Sequence, residues 1–287
     1  MAPRSLIDQK RRQFHKDLLE ILTVKSGVAS NADRKNAGSK RVALRLAELL
    51  AAKEGERKKP QTLGTHFELA VSNFIRTSLK SLKHVRAGRW EVVHVKSRGK
   101  EEISQYSQYS HLSKLAGILK NDPSLEAYLG NDYSISPDVV VIRHPVKDAE
   151  INKTSNVVDQ EIARNTELRH KNSKLPILHA SISTKWTMRS DRAQNTRTEA
   201  LNLIRNRKGR LPHVMAVTAE PLPSRLASIA VGTGDVDCVY HIALYELEKA
   251  VEAETGKNGD KMKQKLSIMI EGKRLKDISD LPLDLMM

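Results

Sequence analysis

Two ionisable residues stand at the ends of two strand-like segments of the sequence. Asp138 precedes the apolar run of residues 139–142, and Lys185 closes the segment 177–185. The first run is unbroken, as in a strand buried on both faces, and the second partly alternates and is rich in β-branched residues. If the strands are neighbours, a carboxylate that can hold Mg2+ lies beside an ammonium group that can orient water or offset charge on a pentavalent phosphorus.

A third ionisable residue, Glu199, follows on residues 192–206, which have the pattern of a long helix. Singly, these residues have ordinary explanations, since an aspartate often opens a strand and a lysine at a strand end is usually solvated. Together they fit one reaction, because two metal ions about 4 Å apart need carboxylates from several elements while one lysine near the nucleophile suffices. Asp138, Lys185 and Glu199 therefore predict metal-dependent phosphodiester hydrolysis.

Two other residues near these elements have less direct interpretations. Thr65 can cap a helix of about residues 66–82, and Glu68 follows three residues later, as in a capping box. Glu68 borders the apolar stripe of this helix, but its spacing alone favours a cap or a helix-dipole partner over a site residue. Ser183 has no evident histidine base in the sequence, so a serine nucleophile is a poor competitor.

The order of the predicted elements indicates the fold class. Strands and helices alternate through the second half of the chain, which favours a mixed, mostly parallel sheet with helices on both faces. Ligand sites in such folds gather at the carboxyl ends of strands, where Lys185 lies. The remaining predicted strands are residues 90–95, 213–218 and 238–242, and the remaining predicted helices are residues 5–22, 38–53, 111–119, 157–163, 224–229 and 245–254.

The size and charge of the chain constrain its organisation and its partners. With 287 residues and 39% hydrophobic content, the chain can form one large domain or one domain with a subdomain, and we expect a single domain with a helical part to about residue 60 and a core of about residues 62–250. Lysine and arginine number 49 against 34 acidic residues, a net charge of +15, which favours a nucleic-acid partner. The same charge also fits added solubility or contact with an anionic membrane. Aromatic residues make up only 4%, so a duplex fits better than a single strand.

Several classes of protein are disfavoured by what the sequence lacks. No segment has the roughly 18 consecutive apolar residues of a membrane span, and the first residues do not resemble a secretory signal. The single cysteine, Cys238, excludes an intramolecular disulfide and a cysteine-based zinc site. We therefore expect a cytoplasmic protein.

These positions resemble a known signature. Pro137-Asp138, Ser183-Thr184-Lys185 and Glu199 are similar to the variant PD-(D/E)XK motif of the type II restriction endonucleases that cut around a CCGG core. The common motif has an acidic residue where Ser183 stands, and in this subfamily a carboxylate on the following helix replaces it. The resemblance spans most of the chain and implies the restriction-endonuclease-like α/β fold, with a mixed central sheet flanked by helices on both faces, in a prokaryotic protein.

The resemblance also assigns roles to residues of the active site. It implies two Mg2+ ions per site, with the Thr184 backbone carbonyl as a further metal ligand, and it brings Glu68 into the site despite its spacing. The implied catalytic positions are Asp138 as the bridging metal ligand, Lys185 as the catalytic lysine, Glu199 as the displaced carboxylate, Glu68 as the upstream acidic residue and Ser183 as the residue in place of the usual carboxylate. Whether Lys185 activates water or stabilises the transition state stays open.

A cluster of charged residues at the start of the 192–206 helix is similar to the family's segment for the central base pairs. Arg189 and Arg192 can donate in a fork to guanine, and Asp191 can accept from cytosine N4. Alternatively, Ser190 or Asp191 caps the helix and the arginines are solvated, although cations at a helix N-terminus oppose the helix dipole.

Three further residues are assigned to DNA by the resemblance alone. Asp33 and Arg225 correspond to an acceptor and donor pair for the outer base pair, and Gln61 corresponds to a minor-groove contact. The implied site is a CCGG-centred palindrome, with GCCGGC as the expected sequence.

The resulting expectation is a Mg2+-dependent nuclease that cuts double-stranded DNA and leaves 5'-phosphate ends. A palindrome requires a two-fold symmetric protein, so at least a dimer is expected, and the resemblance implies a homotetramer of two dimers. Two alternatives stay open: a noncatalytic duplex-binding protein, and a repair or junction nuclease with the same catalytic core.

Overall fold

The computed structural model describes residues 4–95, 103–119, 137–232 and 234–287. In chain order the described strands are β1 (Val24–Lys25), β2 (Val28–Ala29), β3 (Trp90–His94), β4 (Val139–Arg143), β5 (Ile177–Lys185), β6 (His213–Thr218), β7 (Cys238–His241) and β8 (Leu275–Asp277). The described helices are α1 (Leu6–Leu18), α2 (Ala37–Leu49), α3 (Pro60–Ser81), α4 (His111–Leu119), α5 (Asp148–Ile151), α6 (Ser190–Asn206), α7 (Pro223–Ala230), α8 (Leu244–Glu252), α9 (Gly256–Glu271) and α10 (Leu281–Asp284).

A six-stranded sheet with the order β3-β4-β5-β6-β7-β8 organises the described residues, and β1 and β2 form a separate hairpin. β4 is antiparallel to both of its neighbours, whereas β5 to β8 run parallel. Side chains are buried on both faces of β5, with Ala180 and Ile182 on one face and Ser181 and Ser183 on the other. The predicted mixed sheet with helices on both faces is confirmed.

The pairing of β4 with β5 positions the site. Val139 is opposite Ile182 in the antiparallel register, so the residue before Val139 lies beside the last residues of β5. Val139, Val140 and Val141 are fully buried, which explains the unbroken apolar run. The predicted proximity of Asp138 and Lys185 follows directly from this register.

The beginnings of two helices differ from the prediction. α3 begins at Pro60 with Lys59 as its N-cap, because proline is favoured in the first turn, where its missing N–H removes no helical bond. Thr65 therefore lies inside the helix, where its hydroxyl donates to the carbonyl of Gln61, and the predicted capping box is wrong. The N-cap of α6 is Arg189, so the predicted cap at Ser190 or Asp191 is wrong as well.

The predicted helix at residues 157–163 is also absent, and turns take its place. Asn152 Oδ1 accepts from two successive backbone N–H groups at residues 157 and 158, and Asp159 Oδ1 accepts from those of residues 161 and 162. Short polar side chains that bind nearby backbone groups compete with a helix in this way. The buried Arg169 holds the turns by donating to the carbonyls of Asp159 and Ile162.

The N-terminal helix is joined to the far end of the sheet by a buried ion pair. The guanidinium of Arg11 donates to both oxygens of Asp277 on β8, at 2.8 Å each, and to Glu246 on α8. Arg11 is therefore buried, although it stands in the sequence between two basic residues, Lys10 and Arg12, that are not. α9 and β8 were not predicted from the sequence. None of the described helices is both long enough and apolar enough to cross a membrane.

Candidate active site

Asp138 and Lys185 meet at the junction of β4 and β5. Asp138 Oδ2 accepts from Lys185 Nζ at 2.9 Å, from the backbone N–H of Thr184 at 2.6 Å and from the Thr184 hydroxyl at 3.3 Å. Both charged side chains keep about a fifth of their surface exposed, 19% for Lys185 and 22% for Asp138. The pair is therefore fixed by the sheet but open to a substrate.

Glu199 approaches the same site from α6. Burial raises the pKa of its carboxyl from 4.5 to about 7, the Lys185 charge lowers that pKa and the Asp138 charge raises it. Two carboxylates and one ammonium group thus influence one another electrostatically. The cost of ionising Glu199 here is one that a divalent cation would offset.

Ser183 connects the strand and the helix that carry these groups. Its side chain is buried, and its Oγ lies 3.4 Å from Thr196 Oγ1, three residues before Glu199 on α6. Thr196 also donates to the carbonyl of Arg192. This contact joins β5 to α6 about one turn before Glu199.

Glu68 reaches the neighbourhood of Asp138 through His94. Glu68 Oε2 and His94 Nε2 are 2.8 Å apart, and His94 is the last residue of β3, opposite Val139. The next residue, Val95, donates its N–H to the carbonyl of Asp138 at 3.0 Å. Because α3 begins at Pro60, Glu68 lies beyond the first turn, and its interpretation as a helix cap is wrong.

The donor set fits a hard divalent cation. Asp138 and Glu199 supply carboxylate oxygens, the ligand type that Mg2+ prefers, and nearby positive charge would favour the ionised form of Glu199, whose pKa is raised by burial. Within the described part of the chain, no three His, Cys, Asp or Glu groups already converge as a metal-binding cluster. The Lys185 ammonium instead provides the positive charge beside Asp138. The role of the Thr184 carbonyl stays a prediction.

A group of guanidiniums lies near the start of α6. The pKa of Arg57 is lowered by burial and by the positive charges of Arg34, Arg189 and Arg192. Arg189 and Asp191 are exposed, whereas Arg192 is half-buried and donates to the carbonyl and hydroxyl of Thr187 at 3.1 and 3.0 Å. Four like charges this close create a surface that attracts a polyanion. Arg57 was not identified from the sequence.

Asp33 and Arg225 form an ion pair although they are 192 positions apart in the chain. Arg225 Nη2 donates to Asp33 Oδ2, and Nη1 donates to the carbonyl of Met188 at 3.3 Å. The pKa of Asp33 is lowered, chiefly because its carboxylate accepts a hydrogen bond from the backbone N–H of Lys35 and also because of the Arg225 charge. The pair therefore adjoins Arg189, whereas Gln61 is an exposed residue in the first turn of α3.

Glu220 is a buried carboxylate that sequence reasoning missed. It is 1% exposed, and its two oxygens accept from the N–H groups of Met188 at 2.8 Å and Leu222 at 3.1 Å. Burial raises its pKa to about 7, and the bonds from Met188 and Leu222 and the charge of Arg225 oppose this shift. The available signal was its place two residues after the buried strand β6, where sites gather in this class of fold.

Comparison with known proteins identifies relatives of this chain. The family model of the NgoMIV restriction enzyme matches residues 13–287. The type II restriction enzyme NgoMIV of Neisseria gonorrhoeae is 51% identical over 284 residues, which cover 98% of this chain and 98% of that protein.

Two solved structures have weaker similarity. The complex of restriction endonuclease PspGI with substrate DNA has 14% identity and a TM-score of 0.30, and the match covers 97% of this chain and 89% of that one. The type IIF restriction endonuclease Bse634I with cognate DNA has 11% identity and a TM-score of 0.37, with 90% and 92% covered. With TM-scores this low, neither likeness bears on the site. The match to the family model and the 51% identity, in contrast, extend over nearly the whole chain. The chain therefore belongs to the NgoMIV restriction enzyme family and is a type II restriction endonuclease.

Proposed function

We propose that this endonuclease cleaves double-stranded DNA at a CCGG-centred palindrome, with GCCGGC as the site, and that it requires Mg2+ and leaves 5'-phosphate ends. The observation that carries the chemistry is the 2.9 Å contact of Lys185 with Asp138, beside a Glu199 whose pKa is raised to about 7. The family and the guanidinium surface near α6 support DNA as the substrate.

The residues of the site suggest a division of roles. Asp138, Glu199 and the Thr184 carbonyl would hold Mg2+, which when bound supplies a more acidic water and offsets charge on the phosphate. Lys185 Nζ donates toward the reacting phosphate or its attacking water, for in-line displacement. The Glu68 and His94 pair supports the peptide that carries Asp138, through the bond from Val95.

Base recognition is assigned to the exposed polar groups beside the site. Arg189, Asp191 and Arg192 recognise the central CCGG, since arginine matches the acceptors of guanine and aspartate matches the donor of cytosine. Asp33 and Arg225 recognise the outer G·C pair with the same acceptor and donor chemistry, and Gln61 contacts the minor groove. In the free protein Asp33 and Arg225 form an ion pair with each other. Binding to DNA would therefore exchange this ion pair for two contacts with the bases.

The larger organisation is also a proposal. Residues 1–287 form one endonuclease domain, because the buried Arg11 in the helical N-terminal part binds Asp277 on the last strand of the sheet. A palindromic site requires a two-fold related pair of chains, and two such pairs give the proposed homotetramer.

The test is to incubate the protein with a plasmid that has two GCCGGC sites and with a plasmid that has none, each in Mg2+ and in EDTA. The ends of the cleaved DNA are then sequenced. Cuts confined to GCCGGC and abolished by EDTA support the proposal. Cuts at another CCGG-centred hexamer retain the chemistry but contradict the roles of Asp33 and Arg225. Structure-selective cutting without sequence preference would favour a repair nuclease, and DNA binding without cleavage would favour the noncatalytic alternative.

A further inference from the structure

Both backbone polar groups of Met188 are hydrogen-bonded to side chains. One partner, Glu220, lies in the loop between β6 and α7, and the other, Arg225, lies on α7. The Met188 N–H donates to Glu220 Oε2 at 2.8 Å, and the Met188 carbonyl accepts from Arg225 Nη1 at 3.3 Å. The second oxygen of Glu220 accepts the N–H of Leu222 at 3.1 Å, next to the start of α7. The carboxylate therefore joins the β5–α6 loop to the β6–α7 loop.

Met188 lies in the sequence between two residues with proposed functions, Lys185 and Arg189. Met188 is three residues after Lys185 and immediately before Arg189, and it belongs to neither β5 nor α6. Its peptide groups are not bonded within a strand or helix, so their positions depend on these side-chain partners. A movement of Met188 would displace the residue that recognises the central bases and the end of the strand that carries the lysine.

Arg225 is the residue that would connect these contacts of Met188 and Glu220 to the outer base pair. Its Nη2 donates to Asp33, while its Nη1 lies 4.0 Å from Glu220 Oε2. If Arg225 and Asp33 turn to an outer G·C pair, both find base partners, and Glu220 still holds Met188. With a mismatched outer pair, Arg225 finds no acceptor on the base and stays with Asp33 and the Met188 carbonyl, so the loops keep the arrangement of the free protein.

We propose that Glu220 is a positioning residue that makes cleavage depend on the outer base pair, by holding Met188 in register with Arg225. This inference rests on the proposed function, in which Asp33 and Arg225 recognise that pair. Glu220 itself touches neither the base nor the phosphate. Its role is to transmit a correct or incorrect contact of Arg225 to the segment that joins Lys185 to Arg189.

The decisive variant is Glu220→Gln, which keeps the shape but replaces one acceptor oxygen with a donor, so that one of the two N–H bonds is lost. Cleavage rates are measured on duplexes that contain GCCGGC and on two in which only the outer pair is changed, ACCGGT and CCCGGG. The wild-type chain should prefer GCCGGC, and Glu220→Gln should reduce the ratio of rates by about tenfold or more. A merely structural role would lower all three rates by the same factor.

Asp277→Asn is the matched control. Asp277 is also a fully buried carboxylate that accepts from an arginine and from two backbone N–H groups, those of Leu244 and Ser279. This variant should lose thermal stability but keep the wild-type ratio between the three duplexes. A reduced ratio in Asp277→Asn would attribute the effect to destabilisation and would overturn the proposal.

A second measurement needs no variant. Because burial raises the pKa of Glu220 to about 7, lowering the pH from about 8 to about 6 protonates it in place, facing Arg225 and Asp33. Glu199 titrates in the same range, but it acts on every duplex, so it cancels from the ratio of rates. The wild-type ratio should fall several-fold at the lower pH, and it should be low and independent of pH in Glu220→Gln.

The outcomes separate this inference from the proposed function. A wild-type chain that cuts none of the duplexes overturns both. A wild-type chain that cuts all three equally retains the nuclease but overturns outer-pair recognition and with it the role of Glu220. A preference for GCCGGC that is unchanged in Glu220→Gln overturns the inference about Glu220 but not the proposed function. If that variant does not fold, the pH measurement decides: a wild-type ratio of rates that is the same at both pH values also overturns the inference alone.

Discussion

Lys185 Nζ lies 2.9 Å from Asp138 Oδ2, across the antiparallel junction of β4 and β5. The same carboxylate oxygen accepts the backbone N–H of Thr184, so the sheet itself fixes the carboxylate relative to the strand that carries the lysine. A cation bound to Asp138 would compete with Lys185 for this oxygen. The ammonium group is thus placed to turn toward a phosphate when the site is loaded.

Replacing Lys185 with alanine should abolish cleavage while DNA binding remains. Loss of a positioned proton donor or acceptor costs about 10²- to 10⁴-fold in rate. We expect the affinity for duplex to depend instead on the separate cluster of guanidiniums of Arg34, Arg57, Arg189 and Arg192. Single-turnover cleavage and a gel-shift titration of the same GCCGGC duplex measure the two effects. The exposed Lys249 on α8 gives the control, and Lys249→Ala should cleave like the wild-type chain. Cleavage by Lys185→Ala within a few-fold of wild type would contradict the assigned role.

The stability of the chain should depend on the ionisation of Glu199. Its folded-state pKa of about 7 exceeds its ordinary value of 4.5, so the folded protein retains a proton that the unfolded chain releases. The corresponding stability is fully present below pH 4.5 and is lost as the pH rises through about 7. Glu199→Gln should therefore be more stable than wild type at about pH 8, by roughly 1–3 kcal/mol, and similar to it near about pH 5.

Urea unfolding of both proteins at the two pH values, without metal, measures this difference. Glu220 has a similarly raised pKa, but it is present in both proteins and cancels from the comparison. An equal difference in the free energy of unfolding at the two pH values would show that Glu199 is ionised normally in the folded chain.

Mg2+ should stabilise the folded chain, and more strongly at about pH 8 than at about pH 6. Metal binding requires ionised carboxylates, and ligand bound only to the folded state raises the melting temperature. Thermal unfolding with and without excess MgCl2 measures the shift. Asp138→Asn should abolish the shift, while Asp8→Asn, a change on α1 away from the site, should leave it intact. A shift of the same size in Asp138→Asn would place the bound metal elsewhere.

Local patterns were sufficient to predict every strand of the six-stranded sheet except β8, and the meeting of Asp138 with Lys185. Both strands are marked by their composition, and a residue at the start of one and a residue at the end of the other become neighbours whenever the two strands pair antiparallel. Glu199 required more, because its spacing indicates a helix face but not which strand that face covers. The resemblance to a known motif supplied this information.

Contacts between distant parts of the chain could not be predicted from local patterns. Arg11 has the neighbours of a solvated basic face, and only Asp277, 266 positions later, explains its burial. Glu220 has no helical or strand periodicity to identify it, since its role depends on how two loops meet at Met188. The start of α3 was misjudged for a different reason: Thr65 and Glu68 have the spacing of a capping box, but Pro60 begins the helix earlier.

Removing Arg11 should destabilise the chain without changing its cleavage site. Arg11→Ala leaves the fully buried Asp277 without a cation, and breaking a buried pair in this way costs about 3–5 kcal/mol. Arg12→Ala is the neighbouring control, because Arg12 pairs with Asp8 on the surface, where such pairs contribute about 0–1 kcal/mol. Urea midpoints of the two variants should differ clearly while both cut the same sequence. Equal midpoints would mean that the Arg11 pair contributes little to folding.

Arg189 and Arg57 should affect DNA binding in different ways, although their guanidiniums belong to the same cluster. As a proposed base contact, Arg189→Ala should weaken binding to GCCGGC by about 10- to 100-fold, the 1–3 kcal/mol typical of a bidentate base contact, and leave binding to unrelated duplex nearly unchanged. Arg57 is a residue of the loop before α3, and we expect it to contact phosphate. Arg57→Ala should therefore weaken binding to both duplexes alike and reduce the salt dependence of binding by about one charge.

Fluorescence anisotropy over a range of salt concentrations, with Ca2+ in place of Mg2+ to prevent cleavage, distinguishes these two roles. The quantity to compare is the ratio of affinities for GCCGGC and for the unrelated duplex, because a general loss of positive charge cancels from it. Arg189→Ala should lower this ratio, and Arg57→Ala should leave it near the wild-type value. If both variants lower the ratio equally, Arg57 also contacts a base; if neither does, the central bases are recognised by Asp191 and Arg192 without Arg189.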